Sequence, residues 1–294
     1  MTDSPIKRVG VVVKPNQTNA TQTLCDLVLW LNKRGISMVG GRLVERDVVE
    51  QQTGCKLETT PAEGLASSVD LIVVLGGDGT MIGTARQMGD REVPVLGVNF
   101  GTLGYMAEFR IEEMFPALEA ILAGDYRVDS RVMFDVEHMR DETALSRLRV
   151  LNEVVINKAA LARIVEIDVH LNNHYVNSFR ADGLIVATPT GSTAYNLSAG
   201  GPVVFPSMRA MILTPICPFS LTNRPIVLPD DAVMELRLKT ASEDVALTLD
   251  GQIGVQLSAQ DIVRISKSAV TFNLVQPTNR NYFDVLRDKL KWGR

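Results

Sequence analysis

Cysteine is scarce in this chain, at three of 294 residues. Cys25, Cys55 and Cys217 are odd in number and widely spaced, so no disulfide framework is written here. None sits in a metal-ligand pair, and the usage suits reduced thiols in a cytoplasmic protein. Basic charge is not in excess either. A formal net charge of −4 argues against nucleic acid or an acidic membrane as the main partner. An anionic ligand would therefore need local donors rather than a global positive field. No apolar run reaches membrane-spanning length; residues 211–228 come closest, and Pro215, Pro218, Asn223, Arg224 and Pro225 interrupt them. The start, Met1-Thr2-Asp3-Ser4-Pro5, lacks the apolar core of a signal peptide, and residues 9–13 are too few to supply one. His170 and His174 lack the intervening Glu of a zinc-protease motif and read as surface residues of a strand-like region. A P-loop signature is missing. The Rossmann fingerprint also fails, because Gly77 and Gly79 have the first spacing but Gly83 comes one residue late. There is no internal repeat and no low-complexity segment.

What is present is a full apolar complement, 46% hydrophobic against 22% charged, the balance of a soluble globular protein. The length suits two domains of ordinary size. The organising stretch is Val69-Asp70-Leu71-Ile72-Val73-Val74-Leu75-Gly76-Gly77-Asp78-Gly79-Thr80. It begins as a strand buried on both faces and breaks into a glycine-rich turn, with helix-like spacing after it at Met81, Ile82, Ala85 and Met88. In open α/β sheets ligands bind past the carboxyl ends of strands, where this turn would lie. Glycines there let backbone N–H groups approach a phosphate. Asp78 is the odd member, since a carboxylate repels phosphates unless it takes a proton or holds Mg²⁺. The same residues also fit a tight turn with Asp78 capping the next helix.

Around this stretch, residues 7–13, 36–39 and 93–98 read as further strands, and 18–34 and 111–124 as helices closed by Gly35 and Gly124. That alternation predicts a parallel, doubly wound sheet over residues 1–124. Residues 41–64 are polar and without a clear period, and are left unassigned. From 125 to 279 the segments are short and β-rich, among them 132–136, 149–157, 164–171, 175–179, 183–188, 226–228, 233–238, 245–249, 262–265 and 270–275. Turn residues at close intervals predict an antiparallel sandwich-like all-β domain. A helix is expected near 193–199. Residues 282–290 return to helical spacing, so a C-terminal helix at about 280–294 is expected to pack back on the first domain.

Three further stretches draw attention. Asn152-Glu153 stands ahead of an apolar run, and an amide beside a carboxylate can bind a base edge and a ribose diol; a solvated strand end fits as well. Residues 182–195 carry a strand into Thr188-Pro189-Thr190-Gly191-Ser192-Thr193-Ala194-Tyr195, whose hydroxyls, glycine and aromatic suit a ligand loop. Asp250-Gly251-Gln252 reads as a hairpin turn.

Taken together, and with Gly101-Thr102-Leu103-Gly104-Tyr105, these motifs resemble the NAD kinases in content and order over nearly the whole chain. The glycine motif alone is shared with phosphofructokinases and with diacylglycerol and sphingosine lipid kinases; the Thr-Pro-Thr-Gly-Ser-Thr-Ala-Tyr run is far more specific. The resemblance implies an α/β domain and a β-rich domain with the site between them. It implies transfer of the ATP γ-phosphoryl group to the 2′-hydroxyl of the adenosine ribose of NAD, with Mg²⁺ or another divalent metal accompanying ATP and the metal ligands unassigned. By the same resemblance Asp78 is the proton acceptor with Gly79 beside it, and Gly76, Gly77, Gly79 and Thr80 are the phosphate-binding residues. Asn152 and Glu153 hold the adenosine half of NAD, while Arg163, Arg180, Asp182, Thr193, Ala194, Tyr195, Asn196, Leu197, Ser198 and Gln252 line the dinucleotide pocket. The partners implied are NAD and ATP, with no nucleic acid and no membrane, and the assembly a homo-oligomer, tetramer or dimer. Many relatives carry His where this chain has Phe219, so a polar contact from that position is lost. Two alternatives remain: a lipid kinase sharing the glycine motif, which no basic or amphipathic membrane-binding stretch supports, and a non-catalytic dinucleotide sensor, which would gain nothing from Asp78.

Overall fold

The computed structural model describes residues 6–15, 20–41, 44–158, 164–240 and 245–292. The chain divides into two compact units, one of residues 1–130 with 272–294 and one of residues 131–271.

In chain order the first unit holds β1 (Arg8–Val13), α1 (Ala20–Asn32), β2 (Ser37–Gly40), α2 (Arg46–Thr53), β3 (Glu58–Thr59), α3 (Ala62–Ser68), β4 (Leu71–Leu75), α4 (Asp78–Gln87), β5 (Val95–Asn99), β6 (Phe109–Arg110), α5 (Met114–Leu122) and β7 (Arg127–Arg131). The organising strand β4 is buried at every position, because helices cover both faces of a parallel sheet. Strand order is β3-β2-β1-β4-β5-β20-β7, where β20 (Phe272–Gln276) comes from the far end of the chain, and β6 pairs with β5. Registers from β3 to β20 are parallel. Helix α1 lays Leu24, Leu27, Val28 and Leu31 onto a core shared with Val9, Val11 and Val13 of β1, Leu71, Val73 and Leu75 of β4, and Met114 and Leu118 of α5. Gly35 and Gly124 follow their helices with φ of +70° and +77°, the left-handed closure that glycine takes without strain.

Two features depart from the sequence reading. The unassigned residues 41–64 contain α2 and β3 and lead into α3; α2 buries only Val49, so it carries almost no apolar period. Residues 272–276, read with the β-rich segments, pair beside β5 in the parallel sheet, Leu274 opposite Val95. The closing helix α7 spans Tyr282–Leu290, with the Asn281 side chain accepting from the N–H groups of Phe283 and Asp284. The start of the expected first helix, Thr18, lies outside the described residues.

The second unit holds β8 (Phe134–Arg140), β9 (Thr143–Val150), β10 (Glu153–Lys158), β11 (Val165–Leu171), β12 (His174–Ala181), β13 (Gly183–Ala187), a 3₁₀ turn at Thr190–Thr193, α6 (Tyr195–Ser198), β14 (Ala210–Ile216), β15 (Ile226–Pro229), β16 (Met234–Leu238), β17 (Val245–Leu249), β18 (Ile253–Leu257) and β19 (Ile262–Lys267). They form two six-stranded sheets, β15-β14-β13-β10-β17-β18 and β12-β11-β16-β19-β8-β9, with antiparallel pairing throughout the registers. Ile156, Val186, Leu213 and Leu247 of one sheet share a core with Val136, Ile167, Leu236 and Val263 of the other, the interleaved interior of a sandwich. Strand β10 lies inside its sheet, bonded to β13 and β17. Whatever stands at its first residue, Glu153, is therefore held from both sides.

Candidate active site

In the first unit the strand order turns back between β1 and β4, which makes their carboxyl ends the switch point where open α/β sheets bind ligands. The glycine turn falls there. Gly76 donates its N–H to the Val98 carbonyl at 2.8 Å, Gly77 is the N-cap of α4 in extended conformation, and Asp78 is the first helical residue. Gly77, Gly79, Thr80, Gly83 and Thr84 line a cleft of about 450 Å³ together with Val12, Val13, Lys14 and Pro15. Lys14 is exposed at the end of β1. Sequence reasoning missed it, because only the β1–β4 pairing, Val13 beside Leu75, brings this cation next to the glycines. Behind the cleft, sharing Val12, Val13, Thr84 and Gln87 with it, lies an apolar cavity of about 340 Å³ lined also by Leu65, Ala66, Ile72 and Met88.

Asp78 does not cap α4. Its Oδ2 accepts the Tyr105 N–H at 2.8 Å, and its Oδ1 accepts those of Met106 and Ala107 at 3.0 and 3.1 Å. A side chain at Gly104 would overlap the Asp78 carboxyl group, so glycine is required for the loop to close on it. Burial and then the charge of Asp78 push the Tyr105 phenol above its ordinary range.

In the second unit the structure brings together residues 151–153, 188–198 and 250. Thr188 donates its N–H to the Asn152 carbonyl at 2.8 Å and its hydroxyl to the Leu151 carbonyl at 2.6 Å. Gly191 donates to the Thr188 hydroxyl at 3.0 Å, and a Cβ on Gly191 would overlap the main chain of Asn152. Asp250 sits on the other side, accepting from the Leu151, Asn152 and Glu153 N–H groups at 3.1, 2.7 and 3.1 Å. The main chain is thus pinned from both sides, while Asn152 Oδ1 and Glu153 Oε2 are buried without a hydrogen-bond partner. Such atoms are costly unless something satisfies them, so they mark a place for a ligand. Burial first, then the charge of Asp250, pushes the Glu153 carboxyl up to about 8, with the Tyr195 N–H opposing.

The serine- and threonine-rich turn splits between two duties. Ser192 and Asn196 are fully buried: Ser192 bonds the Pro189 and Val204 carbonyls, and Asn196 joins Ser192, Pro202 and Thr214. These side chains hold the turn. Tyr195 and Ser198 are exposed, and Thr193, Ala194 and Leu197 half-buried. Arg180 and Asp182 do not join Asn152 and Glu153. Glu153 stands opposite Ala187 whereas Asn157 stands opposite Gly183, so the two groups lie at opposite ends of the β10–β13 pair, about 13 Å of strand apart. Beside Asp182, Lys158 reaches its carboxylate at 3.4 Å, and the Arg180 guanidinium lies 5.4 Å from the centre of the exposed Phe219 ring. Gln252 is exposed, next to the Asp250-Gly251 turn. Arg163 lies outside the described residues.

Comparison with known proteins bears on both halves. Residues 9–126 match the family model of the ATP-NAD kinase N-terminal domain, and residues 151–277 that of the ATP-NAD kinase C-terminal domain. The chain is 45% identical over 288 residues to the NAD kinase of Geotalea daltonii, covering 98% of this chain and 99% of that one. With the NAD kinase of Solibacter usitatus it shares 41% over 291 residues, 98% of each chain. Among solved structures it is similar to yeast NADH kinase complexed with NADH, with a TM-score of 0.89, 25% identity and 99% and 89% coverage. An NAD kinase from Archaeoglobus fulgidus in complex with ATP gives a TM-score of 0.73 at 25% identity, with 97% and 98% coverage.

Proposed function

The chain belongs to the NAD kinase family, and on that premise we propose that it transfers the γ-phosphoryl group of ATP to the 2′-hydroxyl of the adenosine ribose of NAD, giving NADP. Neither a lipid kinase nor a non-catalytic sensor finds support. The observation that carries the reading is the pinned Asn152-Glu153 segment, whose buried Oδ1 and Oε2 await partners that an adenosine half can give. The exposed Tyr195 beside them offers a stacking face, with Thr193, Ala194, Leu197, Ser198 and Gln252 around the adenosine half, while Arg180 and Asp182, about 13 Å of strand away, are left for the far end of the dinucleotide. Asn196 serves by holding the turn.

Phosphoryl transfer needs positioning, charge neutralisation and one group to take the proton from the attacking hydroxyl. Asp78 takes that proton. Its Oδ2 accepts a single backbone bond, which leaves a lone pair for the hydroxyl hydrogen. The donor's phosphates fit the cleft of Lys14, Gly77, Gly79 and Thr80, with the Gly76 N–H serving the turn itself. The adjoining apolar cavity suits the donor's base. A divalent cation such as Mg²⁺ fits this donor set. Among the described residues no three His, Cys, Asp or Glu side chains converge on one point, and Mg²⁺ characteristically relies on phosphates, waters and one or two carboxylates. With Asp78 engaged by three N–H groups and by the hydroxyl, the ion would be held by the donor's phosphates and water, and it would neutralise phosphate charge.

The assembly we propose is a homo-oligomer, tetramer or dimer, formed through the β-rich unit, where Phe219, Leu221 and Val227 are 69%, 87% and 48% exposed. A cytoplasmic location fits the free thiols of Cys25, Cys55 and Cys217. No helix among the described residues is long and apolar enough to cross a membrane. Purified protein incubated with NAD, Mg²⁺ and ATP should form NADP, and inert mixtures would overturn the reading.

A further inference from the structure

We propose that Asp250 is a positioning residue for the dinucleotide: its carboxylate holds the main chain of Leu151, Asn152 and Glu153 so that the Asn152 and Glu153 side chains face the ligand. This rests on the reading that those two residues bind the adenosine half of NAD.

A hairpin turn alone does not account for Asp250. The three residues 250–252 connect β17 to β18 through a tight turn, with φ of +50° at Asp250 and +64° at Gly251 and the Gln252 N–H bonded to the Leu249 carbonyl at 3.0 Å. Asn-Gly or Gly-Gly would make that turn as well as Asp-Gly, and turn side chains ordinarily face water. Asp250 is 5% exposed. A buried carboxylate needs partners, and this one has three consecutive N–H groups, a donor set that fixes a chain direction. Two of them, on Leu151 and Asn152, precede β10, so Asp250 and not a strand ladder takes these N–H groups, while Thr188 holds the carbonyls on the other side. The main-chain bond from Asp250 N–H to the Glu153 carbonyl, at 2.9 Å, closes the arrangement.

Burial raises the Glu153 carboxyl most; beyond it, the Asp250 carboxylate from the β17–β18 turn raises it further and the Tyr195 N–H from α6 lowers it. Position and charge therefore reach the ligand through one residue. This supplies a readout that a merely structural role would not move.

The test is Asp250→Asn, which keeps the size but replaces one acceptor oxygen by a donor, with Glu153→Gln alongside. Asp250→Asn should raise the KM for NAD about tenfold or more, as expected when charge-assisted hydrogen bonds are lost, and leave the KM for ATP almost unchanged. The Glu153 carboxyl, pushed up to about 8, should give NAD use a pH dependence in that range, which should move lower in Asp250→Asn and vanish in Glu153→Gln. Parallel losses for both substrates with an unmoved pH profile would overturn the proposal. If Glu153→Gln leaves NAD use intact, the underlying reading fails. If Glu153→Gln impairs it and Asp250→Asn does not, the positioning role fails while the reading stands. Should Asp250→Asn not fold, amide exchange on the native protein decides: the Leu151, Asn152 and Glu153 N–H groups must exchange slowly without NAD, and loop-like exchange refutes the anchor.

Discussion

A carboxylate accepting three backbone N–H groups cannot swing, so the Asp78 group proposed above as the proton acceptor is held in one orientation. From the sequence, Asp78→Asn keeps the shape and removes only basicity. The structure adds that the new amide group would point N–H at N–H. Turnover should still fall by about 10²–10⁴ while calorimetry shows NAD binding retained, and near-normal turnover would leave Asp78 as a loop anchor only. Glu153 allows a second expectation. Its folded carboxyl, at about 8, lies above the ordinary value of 4.5, so the fold holds the proton more tightly than the unfolded chain. That contribution to stability is complete below about 4.5 and is lost as pH climbs toward 8. Denaturant titrations at pH 5 and pH 9 should show a drop that Glu153→Gln abolishes. Glu153→Ala, assayed above pH 8 where the carboxyl is ionised, should weaken NAD use by about 1.5–3 kcal/mol, with ATP use much less affected.

At the scale of elements, the loop of residues 104–107 and the helix α4 work as one piece, because Gly104 lets the loop lie on Asp78. Gly104→Ala should therefore cut turnover without touching any substrate, and a variant with native kcat would show that the loop yields easily. How far such pieces can be read from sequence depends on where their causes lie. Strand β4 is an unbroken apolar run, α1 a clean amphipathic stripe and α7 a capped one, and all three were legible. Helix α2, with Val49 its single buried residue, carries no such signal. The place of β20 is set by a partner 179 residues earlier in the chain, Val95 opposite Leu274. The site shows the same division. Motifs singled out Asp78, Asn152 and Glu153 as candidates, but the bonds orienting them come from 27 to 99 residues away and leave no local pattern. Lys14 was hidden for that reason too.

For the whole molecule, the exposed Phe219, Leu221 and Val227 set an expectation about assembly. Sedimentation at micromolar concentration should show a dimer or tetramer, and a stable monomer would refute it. The larger consequence concerns time. The first unit begins with β1 but is completed by β20 and α7, and β20 occupies an interior place in its sheet, between β5 and β7. On the ribosome, then, residues 1–130 emerge with a gap at β5 that stays open while residues 131–271 are made. The second unit is contiguous and can fold as it appears. The nascent chain must shelter a bare strand edge through that interval, the situation in which chaperones are recruited. A stop codon after residue 271 would make the gap permanent and yield insoluble protein, although only a short tail is missing.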